Sequence, residues 1–239
     1  MAMNRESNAY TILYAVVMVV VVALGLALTH QLLKDRQVEN ENIDKMQQIL
    51  RSLNVDVTAD EALDRYGQLI QNAYLIDEQG VKVAETEGTA PQDPAFSTEL
   101  GDPEAKGLPV YEAVVDGSLK YVIPMSGAGL WGAIWGYMAI EADGSTIYGA
   151  EFDHSGETPG LGAEIADTSF KQQFQGKQLF RDGEFRSVAV VKPGRTDAHR
   201  DYVDGISGGT ITSQGVDKML RESVGAYRDF LIKLNMANQ

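Results

Sequence analysis

The spacing of hydrophobic positions changes twice along the chain, and each change predicts a different kind of structure. An almost uninterrupted apolar run covers residues 10–29, and within residues 34–72 apolar residues recur at helical spacing. Short alternating apolar runs follow, until a helical repeat returns near the C-terminus. An apolar run of about 20 residues is long enough to cross a bilayer as a helix. The pattern therefore predicts a transmembrane helix followed by an α+β domain that ends on a helix.

The absence of charge supports the anchor, since no Lys, Arg, Asp or Glu lies between Glu6 and Lys34. A secretory signal peptide is the competing interpretation, although its apolar region is usually shorter, about 7–15 residues, and its start more basic. The small residues of 23–29 keep that alternative open. Charge does not orient the helix, because Arg5 lies on one side and Lys34 and Arg36 on the other.

We predict two parts: a tail and anchor over residues 1–33, and a soluble domain over 34–239. The domain should open with helices within 34–72. Thr58 and Glu61 have the spacing of a capping box, in which each side chain bonds the other's backbone N–H. The first helix should bury Ile43, Met46, Leu50 and Leu53, and the second Leu63, Tyr66, Leu69 and Ile70.

After Asn72 the chain has the texture of an antiparallel sheet. Asp77–Gly80 separates two short apolar runs, and Asp-Gly pairs at 116–117, 143–144 and 182–183 separate others. Asp-Gly between alternating runs is the strongest short-range signal for a β-hairpin. Residues 86–109, rich in Pro, Gly, Asp and Glu, are expected to form a loop.

A glycine-rich stretch, 204–213, precedes the last predicted helix, which should run from about Gln214 to about Leu234 with Ser213 as its N-cap. One face of this helix should be buried, formed by Val216, Met219, Leu220, Tyr227, Leu231 and Leu234. Glycines before a helix N-terminus suit a phosphate, because free N–H groups point at it. The alternative is a capped helix after an ordinary loop. No Lys follows the glycines, so the stretch is not a P-loop.

Composition excludes several functions. With 20 basic and 34 acidic residues the net charge is −14, which argues against binding nucleic acid. The chain has no cysteine, so any redox chemistry needs an organic cofactor or a partner. His154 lies near Glu151, Asp153 and Glu157, but without a recognised metal-ligand spacing we interpret this cluster as a solvated loop and predict no metal site.

Three features in a fixed order resemble a known family. They are the N-terminal anchor, the segment ETPGLG at 157–162 and the segment DGISGGT at 204–210. Together with GLW at 129–131 and NRESNAYTILY at 4–14, they resemble the membrane-anchored, FMN-carrying subunits of bacterial respiratory complexes. The nearest family is the C subunit of the Na+-translocating NADH:quinone reductase, with the G subunit of the Rnf electron-transport complex as its cousin. The resemblance covers essentially the whole chain.

The resemblance implies that FMN is joined through its phosphate to a threonine hydroxyl, here Thr210. Asp204, Ser207 and Gly208 belong to the same motif, and Gly209 stands where the family usually has Ala. Thr212 is the second candidate acceptor. The segment 157–162 is expected to lie along the isoalloxazine ring. The residues expected to bind FMN are Thr210, Ser207, Gly208, Gly209, Ile211, Thr212, Glu157, Thr158, Gly160, Leu161, Gly162 and Leu130.

The resemblance also implies a place in a larger assembly. The chain would relay electrons on the path from NADH to ubiquinone, in a complex that exports Na+ and also contains the A, B, D, E and F subunits. The B subunit would be nearest in the electron path, and a flavin transferase would attach the FMN. The helix would cross the inner membrane once, with its tail in the cytoplasm and its soluble domain in the periplasm. No catalytic residue is expected in the isolated chain.

Other classes of function remain open from the residues. An anchored extracytoplasmic sensor or scaffold would be colourless. A membrane-tethered FMN-dependent reductase would turn over a small molecule in isolation, although the sequence offers no evident acid–base pair for it.

Overall fold

The structure, a computed structural model, describes residues 8–84, 93–98, 100 and 105–237. The chain divides into two units, residues 1–44 and residues 45–239. The predicted boundary between 33 and 34 stays a prediction, because helix α1 (Asn8–Ser52) runs through both positions without a break.

Helix α1 contains the predicted anchor. Within the described ranges it is the helix that is long and apolar enough to cross a membrane, with a mean hydropathy of 2.8 in its most apolar window. None of that window is buried by the protein. These properties are consistent with a membrane anchor. The first helix expected after residue 34 is the continuation of α1.

The last turns of α1 belong to the second unit. Met46, Ile49 and Leu50 are fully buried, as is Leu53 just beyond the helix. Helix α2 (Ala59–Leu69) begins with the predicted capping box, in which Thr58 and Glu61 bond each other's backbone N–H. The prediction that Leu63 is buried was wrong: its side chain is 61% exposed, and the smaller Ala62 is buried in its place.

The described part of the second unit contains a sheet of six antiparallel strands in the order β2-β1-β3-β4-β5-β6. From β3 to β6 neighbouring strands are also consecutive in the chain, so short turns join them. The strands are β1 (Ile70–Ile76), β2 (Lys82–Ala84), β3 (Leu108–Val115), β4 (Ser118–Ala128), β5 (Ala133–Glu141) and β6 (Ile147–His154).

The hairpin predictions are confirmed. Asp116 and Gly117 both have positive φ between β3 and β4, and Asp182 and Gly183 do so between the short strands β7 (Phe180–Arg181) and β8 (Glu184–Phe185). Asp143 joins β5 to β6 by accepting the N–H groups of Ser145 and Thr146.

One pairing departs from the predicted antiparallel pattern. Strand β9 (Ala189–Val191) pairs in parallel with β10 (Tyr202–Asp204). The backbone pairing continues just past β10, where the N–H of Gly205 donates to the Val191 carbonyl.

The predicted loop over 86–109 lies partly outside the described residues. Its described part includes a short helix, α3 (Pro94–Ser97), which buries Phe96 against Tyr66. After β6 a 3₁₀ turn (Gly162–Ala166), the short helix α4 (Thr168–Lys171) and a second 3₁₀ turn (Gln172–Phe174) follow.

The last helix begins earlier than predicted and is not continuous. Helix α5 (Thr210–Met219) leads into a π-helical segment (Leu220–Val224), and α6 (Arg228–Ala237) follows. Ser213 as N-cap was wrong, because Gly209 holds that position and Ser213 lies in the first turn. The Ser213 hydroxyl instead accepts the N–H of Ile206, which folds the glycine loop back onto the helix.

The core lies between one face of the sheet and these C-terminal helices. Val216, Met219, Leu220, Tyr227 and Leu231 are buried as predicted, and Leu234 is partly buried. On the sheet side the cluster includes Ile123, Met125, Ile134, Met138 and Phe152. This packing fixes the start of α5 against the end of β4.

Candidate functional site

The three sequence segments singled out for FMN come together at the start of α5. They are the turn after β4 (Gly129–Gly132), the segment 157–162, and the loop 204–210 with the helix that it opens. A Cβ added to Gly215 on α5 would lie 2.4 Å from the Ala128 carbonyl, and one added to Gly209 would lie 3.3 Å from Gly162 Cα. Glycine therefore allows the backbones of all three segments to approach each other closely.

The carboxylate of Glu157 joins these segments. The hydroxyl of Thr212 donates to Oε2 at 2.6 Å, and the backbone N–H of Trp131 donates to Oε1 at 2.8 Å. The N–H of Leu130 also bonds this carboxylate. Glu157 is only 4% exposed, so a charge removed from water is held by donors from two other segments.

Burial pushes the pKa of Glu157 upward, but the bonds from Thr212, Trp131 and Leu130 outweigh it. These bonds hold the pKa of this carboxyl below its ordinary value. Glu157 is therefore ionised at neutral pH.

The two candidate acceptor threonines differ in their surroundings. Thr210 is the first residue of α5 and is exposed. Thr212 is 1% exposed, and its hydroxyl is engaged by Glu157. An exposed hydroxyl at a helix N-terminus is accessible, and an anionic group attached to it would lie near free N–H groups and the positive end of the helix dipole.

The predicted site residues divide by exposure into a buried inner layer and an exposed outer layer. Glu157, Gly162, Gly209 and Thr212 are buried, whereas the outer layer is exposed and consists of Leu130, Thr158, Gly160, Leu161, Ser207, Gly208, Thr210 and Ile211. Leu161 lies over Gly208, because a Cβ at Gly208 would be 2.6 Å from Leu161 Cδ2. Of the outer layer, Leu130, Leu161 and Ile211 present large apolar side chains to solvent, 41–54% exposed.

These features fit a flat, apolar ring with a phosphate at one end. Apolar side chains and bare backbone suit the faces of an isoalloxazine ring, and backbone N–H groups suit its polar edge. The hydroxyl and the helix start suit the phosphate.

Asp204, the first residue of the second motif, does not point into this cluster of donors. Its backbone N–H donates to Gln173 Oε1 at 2.8 Å, and its carboxylate accepts the N–H of Gly194 at 3.4 Å. It therefore shapes the loop that leads to Thr210.

Sequence reasoning missed the backbone partners of this site. The N–H of Trp131 and the His154 ring, whose Nδ1 accepts the Glu157 N–H at 3.2 Å, carry no motif signal of their own. Backbone groups become visible as donors only once the fold is known.

The interpretation of residues 151–157 as a solvated loop was wrong. Glu151 lies in β6, is 5% exposed, and pairs with Arg51 and Lys171, each at 2.9 Å. Across the residues that the structure describes, no group of three or more His, Asp or Glu side chains is arranged to hold a metal ion.

Comparison with known proteins agrees with this geometry. Residues 129–225, which include all three segments, match the family model of the FMN-binding domain. The chain is 32% identical over 231 residues to the C subunit of the Na+-translocating NADH-quinone reductase of Vibrio anguillarum, covering 90% of each protein.

Solved structures give the same result. The fold matches the crystal structure of the corresponding protein from Parabacteroides distasonis with a TM-score of 0.77 and 51% identity, covering 83% of this chain and 96% of that one. It matches NqrC of Shewanella oneidensis with a TM-score of 0.66 and 27% identity, covering 82% and 99%.

Fold and site thus define an α+β protein with an FMN-binding domain and an apolar N-terminal helix. The chain belongs to the NqrC family, the C subunits of the Na+-translocating NADH-quinone reductases. The predicted family and fold class are confirmed.

Proposed function

We propose that the chain is the electron-carrying C subunit of a Na+-translocating NADH:quinone reductase, with FMN esterified through its phosphate to Thr210. The observation that best supports the proposal is the convergence of the three segments around Glu157 beside an exposed threonine at a helix start. Family membership supports the same role.

The residues divide the work of holding the flavin. The first turn of α5 offers free N–H groups and the positive end of the helix dipole to a phosphate. Leu130, Leu161 and Ile211 offer apolar contact, while the exposed glycines Gly160 and Gly208 leave the backbone accessible. When bound, FMN supplies reversible electron transfer, and this chain's residues hold it in place and shape its surroundings.

Covalent attachment suits a carrier within a chain of redox centres. A tethered cofactor does not dissociate between electron arrivals, and its position relative to its partners is fixed. The proposed assembly also contains the A, B, D, E and F subunits, and the B subunit receives the electron. A flavin transferase attaches the FMN during maturation.

The proposed topology is a single crossing of the inner membrane, with the α+β domain in the periplasm. The apolar part of α1 supports the crossing. The side on which the domain lies follows from the family resemblance rather than from charge.

Expression with and without the flavin transferase tests attachment. Residues 34–239 should show a fluorescent flavin band on a denaturing gel only when the transferase is present, and Thr210→Ala should abolish it. Fluorescence that survives Thr210→Ala would move the site to Thr212 or refute the assignment. A colourless wild-type band with active transferase would favour the scaffold or sensor instead, and turnover of a small molecule by the isolated domain would favour the tethered reductase.

A further inference from the structure

The two threonines at the start of α5 differ in one contact that bears on where a flavin is attached. Both carry secondary hydroxyls within the first turn, so chemistry alone does not distinguish them. They differ in their contact with the Glu157 carboxylate, which accepts a hydrogen bond from the Thr212 hydroxyl at 2.6 Å. Among the described residues, Thr210 has no such partner and is exposed.

We propose that Glu157 is a positioning residue that selects Thr210 as the acceptor, by holding the Thr212 hydroxyl in a buried charged hydrogen bond. This inference rests on the proposed function, because it concerns the same attachment reaction. In this proposal Glu157 acts through Thr212 and is assigned no contact with the reacting phosphate.

The reaction explains why such a bond matters. Attachment from a flavin nucleotide with a pyrophosphate bond, such as FAD, forms one O–P bond to the threonine oxygen and breaks the pyrophosphate bond. The leaving group is AMP, and the hydroxyl proton is released. The Thr212 hydroxyl is buried, so its side chain must turn away from the Glu157 carboxylate to meet a flavin nucleotide at the surface. Losing that hydrogen bond to a charged group makes Thr212 about tenfold or more less available.

Groups other than Thr212 also hold the Glu157 carboxylate in place. Trp131 and Leu130 donate their backbone N–H groups to it, so Glu157 is fixed independently of Thr212. The space is also filled: a Cβ added to Gly162 would lie 2.3 Å from Glu157 Oε2 and 2.4 Å from Thr212 Oγ1. Neither group can therefore turn away toward Gly162.

The test uses the full chain expressed with its flavin transferase, and maps the adduct by peptide mass spectrometry in wild type, Thr210→Ala and the double variant Thr210→Ala/Glu157→Gln. Thr210→Ala should carry little adduct, and the double variant should gain an adduct on Thr212, raised about tenfold over the single variant. Near-ultraviolet circular dichroism establishes that each variant is folded.

Each result decides between the alternatives. An adduct on Thr212 in the single Thr210→Ala variant at wild-type yield would overturn the proposal, because that hydroxyl would not be withheld. A folded double variant without a Thr212 adduct would also overturn it. Absence of adduct from the wild-type chain would instead refute the proposed function.

A second measurement on the wild type avoids any loss of folding. In the full chain in detergent, the Thr212 hydroxyl proton should exchange with water slowly enough to be seen by NMR. It should show a cross-peak to the amide proton of Trp131, which donates to the same carboxylate. A Thr212 hydroxyl in fast exchange with water would contradict the bond on which the proposal rests.

Discussion

Two neighbouring glycines in the loop 204–210 differ in how well they would tolerate a side chain. Gly208 has φ of +79°, and an added Cβ would also meet Leu161 Cδ2. Gly209 has φ of −100°, and an added Cβ would be 3.1 Å from the Ile206 side chain. The backbone angles of Gly209 therefore suit alanine, but the added Cβ needs small shifts both at Ile206 and at Gly162 Cα, which would be 3.3 Å away.

We expect Gly209→Ala to change the free energy of unfolding by less than about 1 kcal/mol, since lost N-cap preference and reduced freedom of the unfolded chain oppose each other. Gly208→Ala, the matched control, should lower the free energy of unfolding by about 1–2 kcal/mol, because residue 208 has a left-handed backbone conformation. Urea denaturation measures both. Equal losses in the two variants would contradict this account of the loop.

Glu157 should make stability depend on pH in a defined direction. Its pKa is lower in the folded than in the unfolded chain, so its contribution is fully present above its ordinary pKa and is lost as pH falls below that value. The difference in unfolding free energy between wild type and Glu157→Gln should therefore shrink as pH falls from about 6 to about 3. The exposed Glu78→Gln serves as control, and a difference that grows on acidification would show that the sign is wrong.

At the scale of elements, the end of α1 is part of the second unit's core. Met46, Ile49, Leu50 and Leu53 are fully buried, and Gln48 accepts the indole N–H of Trp135 at 3.1 Å. Each such apolar side chain contributes about 1.5–3 kcal/mol, so together they approach the total stability of a domain.

A chain beginning at Lys34 should therefore fold cooperatively, whereas one beginning at Asn54 should not. Circular dichroism and urea denaturation of the two truncated chains measure this. Cooperative unfolding of the shorter chain would show that the end of α1 is dispensable.

The π-helical segment supplies hydrogen-bond partners to the end of β4, on the edge where β3 no longer pairs with it. Strand β3 pairs with β4 over Ser118–Val122, so Ser126 lies beyond it. The Ser223 hydroxyl accepts the Ser126 N–H at 3.1 Å and donates to its carbonyl at 2.9 Å, as a neighbouring strand would. An extra residue in the helical turn is how this side chain comes to face the strand.

Ser223→Ala should lower the free energy of unfolding by about 1–2 kcal/mol, because both backbone groups of Ser126 lose their partner. The adjacent, exposed Glu222→Ala should cost less. Thermal unfolding compares them, and an unaffected Ser223→Ala protein would mean that water replaces the hydroxyl without cost.

The elements that the sequence predicted well are those with local causes. The Asp-Gly hairpins, the Thr58 capping box and the long apolar N-terminal helix each depend on a few neighbouring residues, so short-range chemistry was sufficient. The parallel β9–β10 pair and the early start of α5 were missed because long-range contacts decide them: Gly205 bonds Val191, and Ser213 folds back on Ile206. The Glu157 bonds to Trp131 and Thr212 also depend on segments far apart in the chain.

At the scale of the whole molecule, the absence of cysteine makes the proposed topology directly measurable. A Gln79→Cys variant places a thiol on an exposed turn of the α+β domain, and an Ala2→Cys variant places one in the N-terminal tail. In intact spheroplasts a membrane-impermeant maleimide should label residue 79 but not residue 2. Labelling of residue 2 alone would invert the topology.

The proposed electron-carrier function depends above all on a phosphoester at Thr210, and tandem mass spectrometry of the protein purified from its native membranes tests this bond most directly. The peptide that contains residues 204–213 should carry the mass of FMN less water, with fragment ions that place it on Thr210. The same peptide recovered entirely unmodified would contradict the electron-carrier function proposed for this chain.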